Sequence, residues 1–154
     1  IQDNNQQVTN LEISGGGIKG ISFIGALQVL DKLKILDESK ILGYAGTSIG
    51  SLIAAILSIG YNIHDIMLIM NQVDFNKISS SDYIYDLLGD LINAKTNNPD
   101  YSIKDLYLEK NIRLIIPVTS VLDSKIIYFN HEYDISIRTA VKMSMAIPGV
   151  FSPV

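Results

Sequence analysis

Apolar and polar positions change period several times along the chain, and each change marks an element. Val8 to Ser14 alternates through Leu11-Glu12-Ile13, which predicts a short strand running into Gly15-Gly16-Gly17-Ile18-Lys19-Gly20. Beyond that loop Ile21, Ile24, Leu27, Leu30 and Leu33 recur at helical spacing, with Asp31, Lys32 and Lys34 on the other face. Asp37 to Lys40 reads as a polar turn and Ile41 to Ala45 as a second strand, after which Leu52, Ile53, Ala55, Ile56 and Leu57 predict a deeply buried helix stopped by Gly60. Asn62 is placed to cap a helix through about Met70, with Ile63, Ile66, Met67 and Met70 as its core stripe. Ser79-Ser80-Ser81 predicts a loop, Tyr83 to Asn93 a helix, and Thr96 to Asp100 a break. This helical middle reads equally as a cap over a site or as a connecting segment. Ser102 with Asp105 resembles a capping box for a helix through about Glu109. Ile112 to Leu122 and Ile126 to Phe129 then read as strands joined at Asp123-Ser124, and Pro117 predicts an edge strand or a bulge. Asp134 is placed to cap a last helix to Met145, stopped by Ile147-Pro148-Gly149. Two strand-turn-helix units in the first half predict an α/β fold on a parallel sheet.

Composition narrows the class. With 154 residues, 47% of them hydrophobic, the chain builds one sizeable core and one domain. A formal charge of -4 leaves no basic footprint for nucleic acid. The absence of cysteine removes disulfides and thiolate metal sites. Ile1 to Asn10 lacks the basic-then-apolar order of a signal peptide. The run Leu52–Ile59 falls well short of the roughly 20 residues that span a bilayer. The expected location is therefore cytoplasmic or peripheral to membranes.

Two glycine motifs carry the candidate chemistry. Gly46-Thr47-Ser48-Ile49-Gly50 is a G-x-S-x-G pattern between a strand and a helix, where a serine sits on strained backbone and its neighbours must be small because adjacent elements press on them. Ser48 is the candidate nucleophile; otherwise it is an ordinary helix cap. Gly15, Gly17 and Gly20 also satisfy G-x-G-x-x-G, with Asp37 and Glu38 about where a dinucleotide fold places its ribose acid, although the helical stripe leaves little room for the strand that should present it. A P-loop is excluded because Ile21 follows Gly20. A third reading joins the motifs: backbone N–H groups of Gly15, Gly16, Gly17 and Ile18 form an oxyanion hole beside Ser48, a place where side chains would obstruct the donors.

Ser14-Gly15-Gly16-Gly17-Ile18-Lys19-Gly20, the Ser48 pentapeptide, and Ala146-Ile147-Pro148-Gly149-Val150-Phe151-Ser152-Pro153 together resemble the patatin-like phospholipase family. The family's G-G-G-x-[KR]-G supplies the oxyanion hole, its G-x-S-x-G the nucleophile, and A-x-P-x-x-F-x-P follows a helix near the active site. The resemblance implies a three-layer α/β/α sandwich with a mainly parallel sheet, hydrolysis of phospholipid or related acyl esters at a peripheral membrane surface, a Ser-Asp dyad, and no cofactor or metal. The alternatives are a catalytically inactive lipid-binding module and the dinucleotide-binding domain. In the family the dyad aspartate stands in a D-G-[GA] segment beyond the F-x-P stretch. No Asp-Gly pair occurs in this chain, so the single domain is expected to be incomplete at its C-terminal end.

Other candidates are weaker. Ser48, Asp123 and His131 match the chain order of an ordinary hydrolase triad, yet Asp123 and His131 bracket one short strand. His64 reads as a solvent-facing residue in a first helical turn, and no cluster has metal-ligand spacing. Lys19 is either a solvated side chain or a substrate-binding point charge for lipid phosphate.

Overall fold

The computed structural model describes residues 7–74, 76–77 and 80–146. It opens with strand β1 (Asn10–Ile13), the glycine loop, a 3-10 turn at Gly17–Gly20 and helix α1 (Ile21–Lys32). A second 3-10 turn (Glu38–Lys40) leads to β2 (Gly43–Gly46), α2 (Ile49–Ser58), α3 (Ile63–Gln72), α4 (Ser81–Thr96) and α5 (Ile103–Lys110). A hairpin of β3 (Arg113–Ser120) and β4 (Lys125–Phe129) precedes α6 (Ile137–Met145). The sheet has the order β1-β2-β3-β4, parallel across its first three strands and antiparallel at β4. This is the α/β fold on a mainly parallel sheet that the strand-turn-helix order predicts, and it agrees with the sandwich that the resemblance implies.

α2 is the centre of the core. All of its residues from Ile49 to Ser58 are buried, and it packs on β1, β2 and β3. Its buried hydroxyls return to the helix, Ser51 donating to the Ser48 carbonyl and Ser58 to that of Ala55, so burial strands no donor. Gly60 ends the run at φ 104°, a conformation that favours glycine. α6 joins α2 over the same face of the sheet, where Leu114, Ile116 and Val118 of β3 are buried. The alternate residues Ile115 on β3 and Ile126 and Tyr128 on β4 reach solvent on the opposite face. Ile84, Leu88 and Ile92 bury one stripe of α4 in this same core, with α4 against α6 and α2. The helical middle is thus part of the main body.

The predicted capping boxes both form: Asn62 pairs with Asp65 at α3 and Ser102 with Asp105 at α5. Two expectations are corrected. Ser136, not Asp134, caps α6, because Ile103 N–H to Ile135 carbonyl and Ile137 N–H to Tyr101 carbonyl tie the chain down around that residue. Leu33 lies outside the buried stripe: Lys34 turns the chain at φ 60°, Leu36 N–H returns to the Leu30 carbonyl, and Leu36 takes the buried place. Pro117 lies where β3 is locally an edge, as the proline predicts: β3 pairs β2 only through Ile115, so at Pro117 it has β4 alone beside it. Its carbonyl accepts from Ser144, and its ring nitrogen faces that same side, past the end of β2, so no ladder bond is lost. The predicted stop at Ile147-Pro148-Gly149 and the F-x-P stretch lie outside the described residues, as do Ile1 to Gln6 and Ser79. No described helix is long and apolar enough to cross a membrane.

Glu38 ties the second 3-10 turn to α3 by accepting the Ile63 N–H at 2.8 Å. Burial pushes its carboxyl above the ordinary value, and the charges of Asp31, Asp65 and Asp37 add to the shift, against the Ile63 bond. The folded state therefore holds this proton more tightly than the unfolded chain does. Glu38 contributes stability below the ordinary carboxylate range, and that contribution is lost as pH rises through the folded value. Thermal unfolding followed by circular dichroism between pH 4 and 7 is expected to show Glu38→Gln more stable than the parent at the upper end and little changed at the lower.

Candidate active site

Both glycine motifs leave the same end of the sheet because β1 and β2 are parallel and in register, Ile13 beside Gly46. Past Gly46 the chain turns sharply into α2, and Ser48 takes up φ 54°, ψ -127°. A residue with a Cβ is strained in this region, at a cost of about 1–3 kcal/mol. Ser48 stands at the cap position of α2, yet its side chain makes no capping hydrogen bond. An ordinary cap residue has extended backbone and spends its hydroxyl on the first turn, as Asn62 and Ser102 do with their side chains here. Ser48 does neither.

The flanking glycines explain how the turn closes. A Cβ on Gly46 would sit on the Gly50 carbonyl and 2.7 Å from the Ser51 nitrogen, and one on Gly50 would sit on the Ile13 carbonyl and 2.6 Å from that of Ser14. These are backbone atoms at the junction of β1, β2 and α2, with no flexible side chain to yield. The glycine loop lies directly beside the serine: a Cβ on Gly15 would stand 3.3 Å from Ser48 Cβ. Among the described residues no acceptor is paired with the N–H groups of Gly15, Gly16 or Gly17. Gly17 has φ 55°, and Gly20 is so tightly covered by the Ile49 side chain that the loop is pinned to the start of α2. Ile18 contributes backbone to the 3-10 turn. Lys19 is exposed, donates its N–H to the Gly16 carbonyl at 3.1 Å, and makes no ion pair among the described residues.

One residue joins the site without any signal in the local sequence. The Ser48 N–H donates to Ser144 Oγ at 3.0 Å, and the Ser144 hydroxyl donates to the Pro117 carbonyl at 2.8 Å. Ser144 thereby ties the strained turn to α6 and to β3 at once. It also occupies the Ser48 N–H, leaving the glycine loop as the cluster of open donors beside Ser48. Removing the hydroxyl strands a donor and an acceptor in a partly buried place, so Ser144→Ala is expected to cost roughly 1–3 kcal/mol in urea unfolding and to speed amide exchange at Ser48.

The remaining candidates fall elsewhere. Asp123 lies in the turn before β4, its N–H 3.4 Å from Ser120 Oγ, while His131 lies past the other end of β4 and stacks on Tyr107 with ring centroids 4.2 Å apart. The length of β4 separates them, so they cannot share a triad with Ser48. Asp37 and Glu38 precede β2, at the end of the strand opposite the glycine loop. Asp37 accepts from Ser39 and Glu38 from Ile63, so neither is presented as a ribose ligand and the dinucleotide reading loses its acid. His64 is exposed on a shallow cleft of about 310 Å³ with Asp31, Asp37, Glu38 and Asn62, on that same distant side. No described group of three or more His, Cys, Asp or Glu is arranged to hold a metal ion.

Comparison with known proteins points one way. The family model described as patatin-like phospholipase matches residues 11–154. An uncharacterized protein of Acanthamoeba polyphaga mimivirus is 28% identical over 166 residues, covering 96% of this chain and 54% of that protein. A protein of Invertebrate iridescent virus 6, described as a "probable lipid hydrolase", is 28% identical over 163 residues, covering 94% and 55%. The chain thus spans about half the length of the curated relatives it matches. Among solved structures, VipD from Legionella pneumophila superposes with a TM-score of 0.73 at 18% identity, over 96% of this chain and 44% of that one. The type III effector ExoU of Pseudomonas aeruginosa gives 0.68 at 20% identity, over 94% and 41%. At such identities the two structures bear on the fold alone.

Proposed function

The chain belongs to the patatin-like phospholipase family, and on that premise we propose that it is a lipid acyl hydrolase with Ser48 as its nucleophile. The observation that carries the proposal is the backbone of Ser48, a residue with a side chain held at φ 54°, ψ -127° between two glycines that cannot be larger, its hydroxyl unused by the helix it caps. Strain of this kind persists only where the surroundings over-determine it, and it lifts the hydroxyl clear of the turn.

In the proposed reaction Ser48 Oγ adds to the acyl carbonyl of a phospholipid or related ester and gives its proton to a carboxylate. The tetrahedral oxyanion accepts from the backbone N–H groups of Gly15, Gly16, Gly17 and Ile18, at the positive end of the turn that starts α1. The ester C–O bond breaks, the alcohol leaves with the proton, and water releases the fatty acid from the acyl-enzyme. Lys19, exposed beside the loop, is placed in this reading against the lipid phosphate as a point charge. The base is assigned to the aspartate of the Asp-Gly segment that the resemblance calls for and these 154 residues do not contain. No metal or nucleotide takes part, and the protein works in the cytoplasm or at a membrane surface.

A fluorophosphonate probe is expected to label the protein once, at Ser48 by peptide mapping, with release of fatty acid from phosphatidylcholine. Label on another residue, or label that persists in Ser48→Ala, overturns the assignment. The alternative is an inactive lipid-binding module. Vesicle binding with neither label nor hydrolysis would select it.

A further inference from the structure

The largest exposure of an apolar side chain in the described structure is at the turn of the β3–β4 hairpin, where Leu122 is 98% and Val121 68% exposed. The same hairpin carries Ile126 and Tyr128, each more than half exposed. Scattered exposed apolar residues are ordinary, but two adjacent ones at the tip of a projecting turn, Val121 and Leu122, mark contact with another phase or molecule. Its place in the fold says which. β3 runs parallel to β2 and therefore points toward the end of the sheet where Ser48 and the glycine loop lie. Its ladder with β2 ends at Ile115, while the strand continues through Ile116–Ser120 before turning. At about 3.3 Å per residue that carries the turn roughly 15 Å farther along the strand direction than the end of the β2 ladder. Ser144, bonded both to Ser48 and to Pro117 in the middle of this extension, fixes the hairpin beside the nucleophile.

We propose that the turn Val121-Leu122-Asp123-Ser124 inserts into the surface of a lipid aggregate and seats the Ser48 end of the sheet on it. The proposal rests on the reading of the substrate as a lipid and adds the element that meets the lipid phase. Charge decides the kind of surface. Asp123 and Lys125 offset one another at the turn, and the chain as a whole carries -4, so a zwitterionic surface suits it and an anionic one is opposed. Tyr128, apolar in body and polar at its tip, fits the headgroup level behind the inserted residues.

The chain has no tryptophan, so a single introduced indole reports one place alone. In the full chain, Leu122→Trp is expected to shift its emission to the blue on addition of phosphatidylcholine vesicles and to be quenched by lipids brominated on the acyl chain. Leu108→Trp is the control: it is 68% exposed on α5, which feeds the opposite end of β3, and should not respond. Leu122→Asp is expected to lower sedimentation with the vesicles at least about tenfold. The proposal fails if Leu122→Trp is silent, if both tryptophans respond alike, or if vesicles one-third phosphatidylserine bind more tightly. It fails also if the Leu122→Trp emission is already blue without lipid and reddens on dilution, which would make a second copy the occupant. Probe labelling at Ser48 without insertion would sink this inference and leave the hydrolase standing. Insertion that survives Ser48→Ala, in a protein that never takes the probe, would do the reverse.

Discussion

Gly50→Ala is expected to remove most of the protein's stability, at least about 3 kcal/mol in urea unfolding. A single methyl group has this effect because of what surrounds it. The added carbon would lie on the carbonyl of Ile13 and 2.6 Å from that of Ser14, both backbone atoms at the end of β1. Moving them means moving β1 away from α2, whose residues are all buried against the sheet. Overpacking elsewhere in a core is relieved by a side chain changing rotamer, and here no rotamer is involved. Of a total stability of about 5–15 kcal/mol, a loss of this size leaves a marginal fold. Gly25→Ala supplies the comparison. Gly25 lies in α1 with nothing within 4 Å of its would-be Cβ, so the same methyl is expected to stabilise by roughly 0.5–1 kcal/mol. If the two variants unfold at the same urea concentration, the close approach at Gly50 is not what holds the turn.

What the sequence reveals and what it hides divides along the range of the interactions. Asn62 with Asp65 and Ser102 with Asp105 are legible because each box closes within three residues. The burial of α2 is legible because a helix apolar on every face has nowhere else to go. The pairing of the glycine loop with Ser48 follows from two consecutive parallel strands, whose C-terminal ends must lie side by side. The start of α6 misleads because Asp134 and Ser136 are both good caps by composition, and the choice is made by backbone bonds to Tyr101 and Ile103 far back in the chain. Ser144 is invisible for the same reason in stronger form, since its two partners are 96 and 27 residues away. Pro117 is legible as a local edge, since β2 stops short of it, but nothing nearby in the sequence says that β3 is otherwise an inner strand. Local chemistry carries the caps and the turn; the residues that lock the turn in place belong to the tertiary structure.

Ser48→Gly is expected to abolish hydrolysis and probe labelling while making the protein more stable. The loss of the nucleophile costs on the order of a millionfold in turnover when serine and base act as a unit. The stability change has the opposite sign because the strain of φ 54°, ψ -127° belongs to the Cβ and vanishes with it. Relief of about 1–3 kcal/mol is set against roughly 0.5–1 kcal/mol for the greater freedom of glycine in the unfolded chain, leaving a net gain on the order of 1 kcal/mol. Ser48→Ala separates the two effects: it loses the same activity, keeps the Cβ and the strain, and forfeits no capping bond, so its stability should match the parent's. Were Ser48 merely the cap of α2, both variants would be less stable than the parent, alanine by about 1 kcal/mol and glycine by a few tenths. Urea midpoints of the three proteins therefore decide between a cap and a strained nucleophile without any measurement of activity. A glycine variant less stable than the parent would count against the nucleophile, since the strain that argues for it would then be absent.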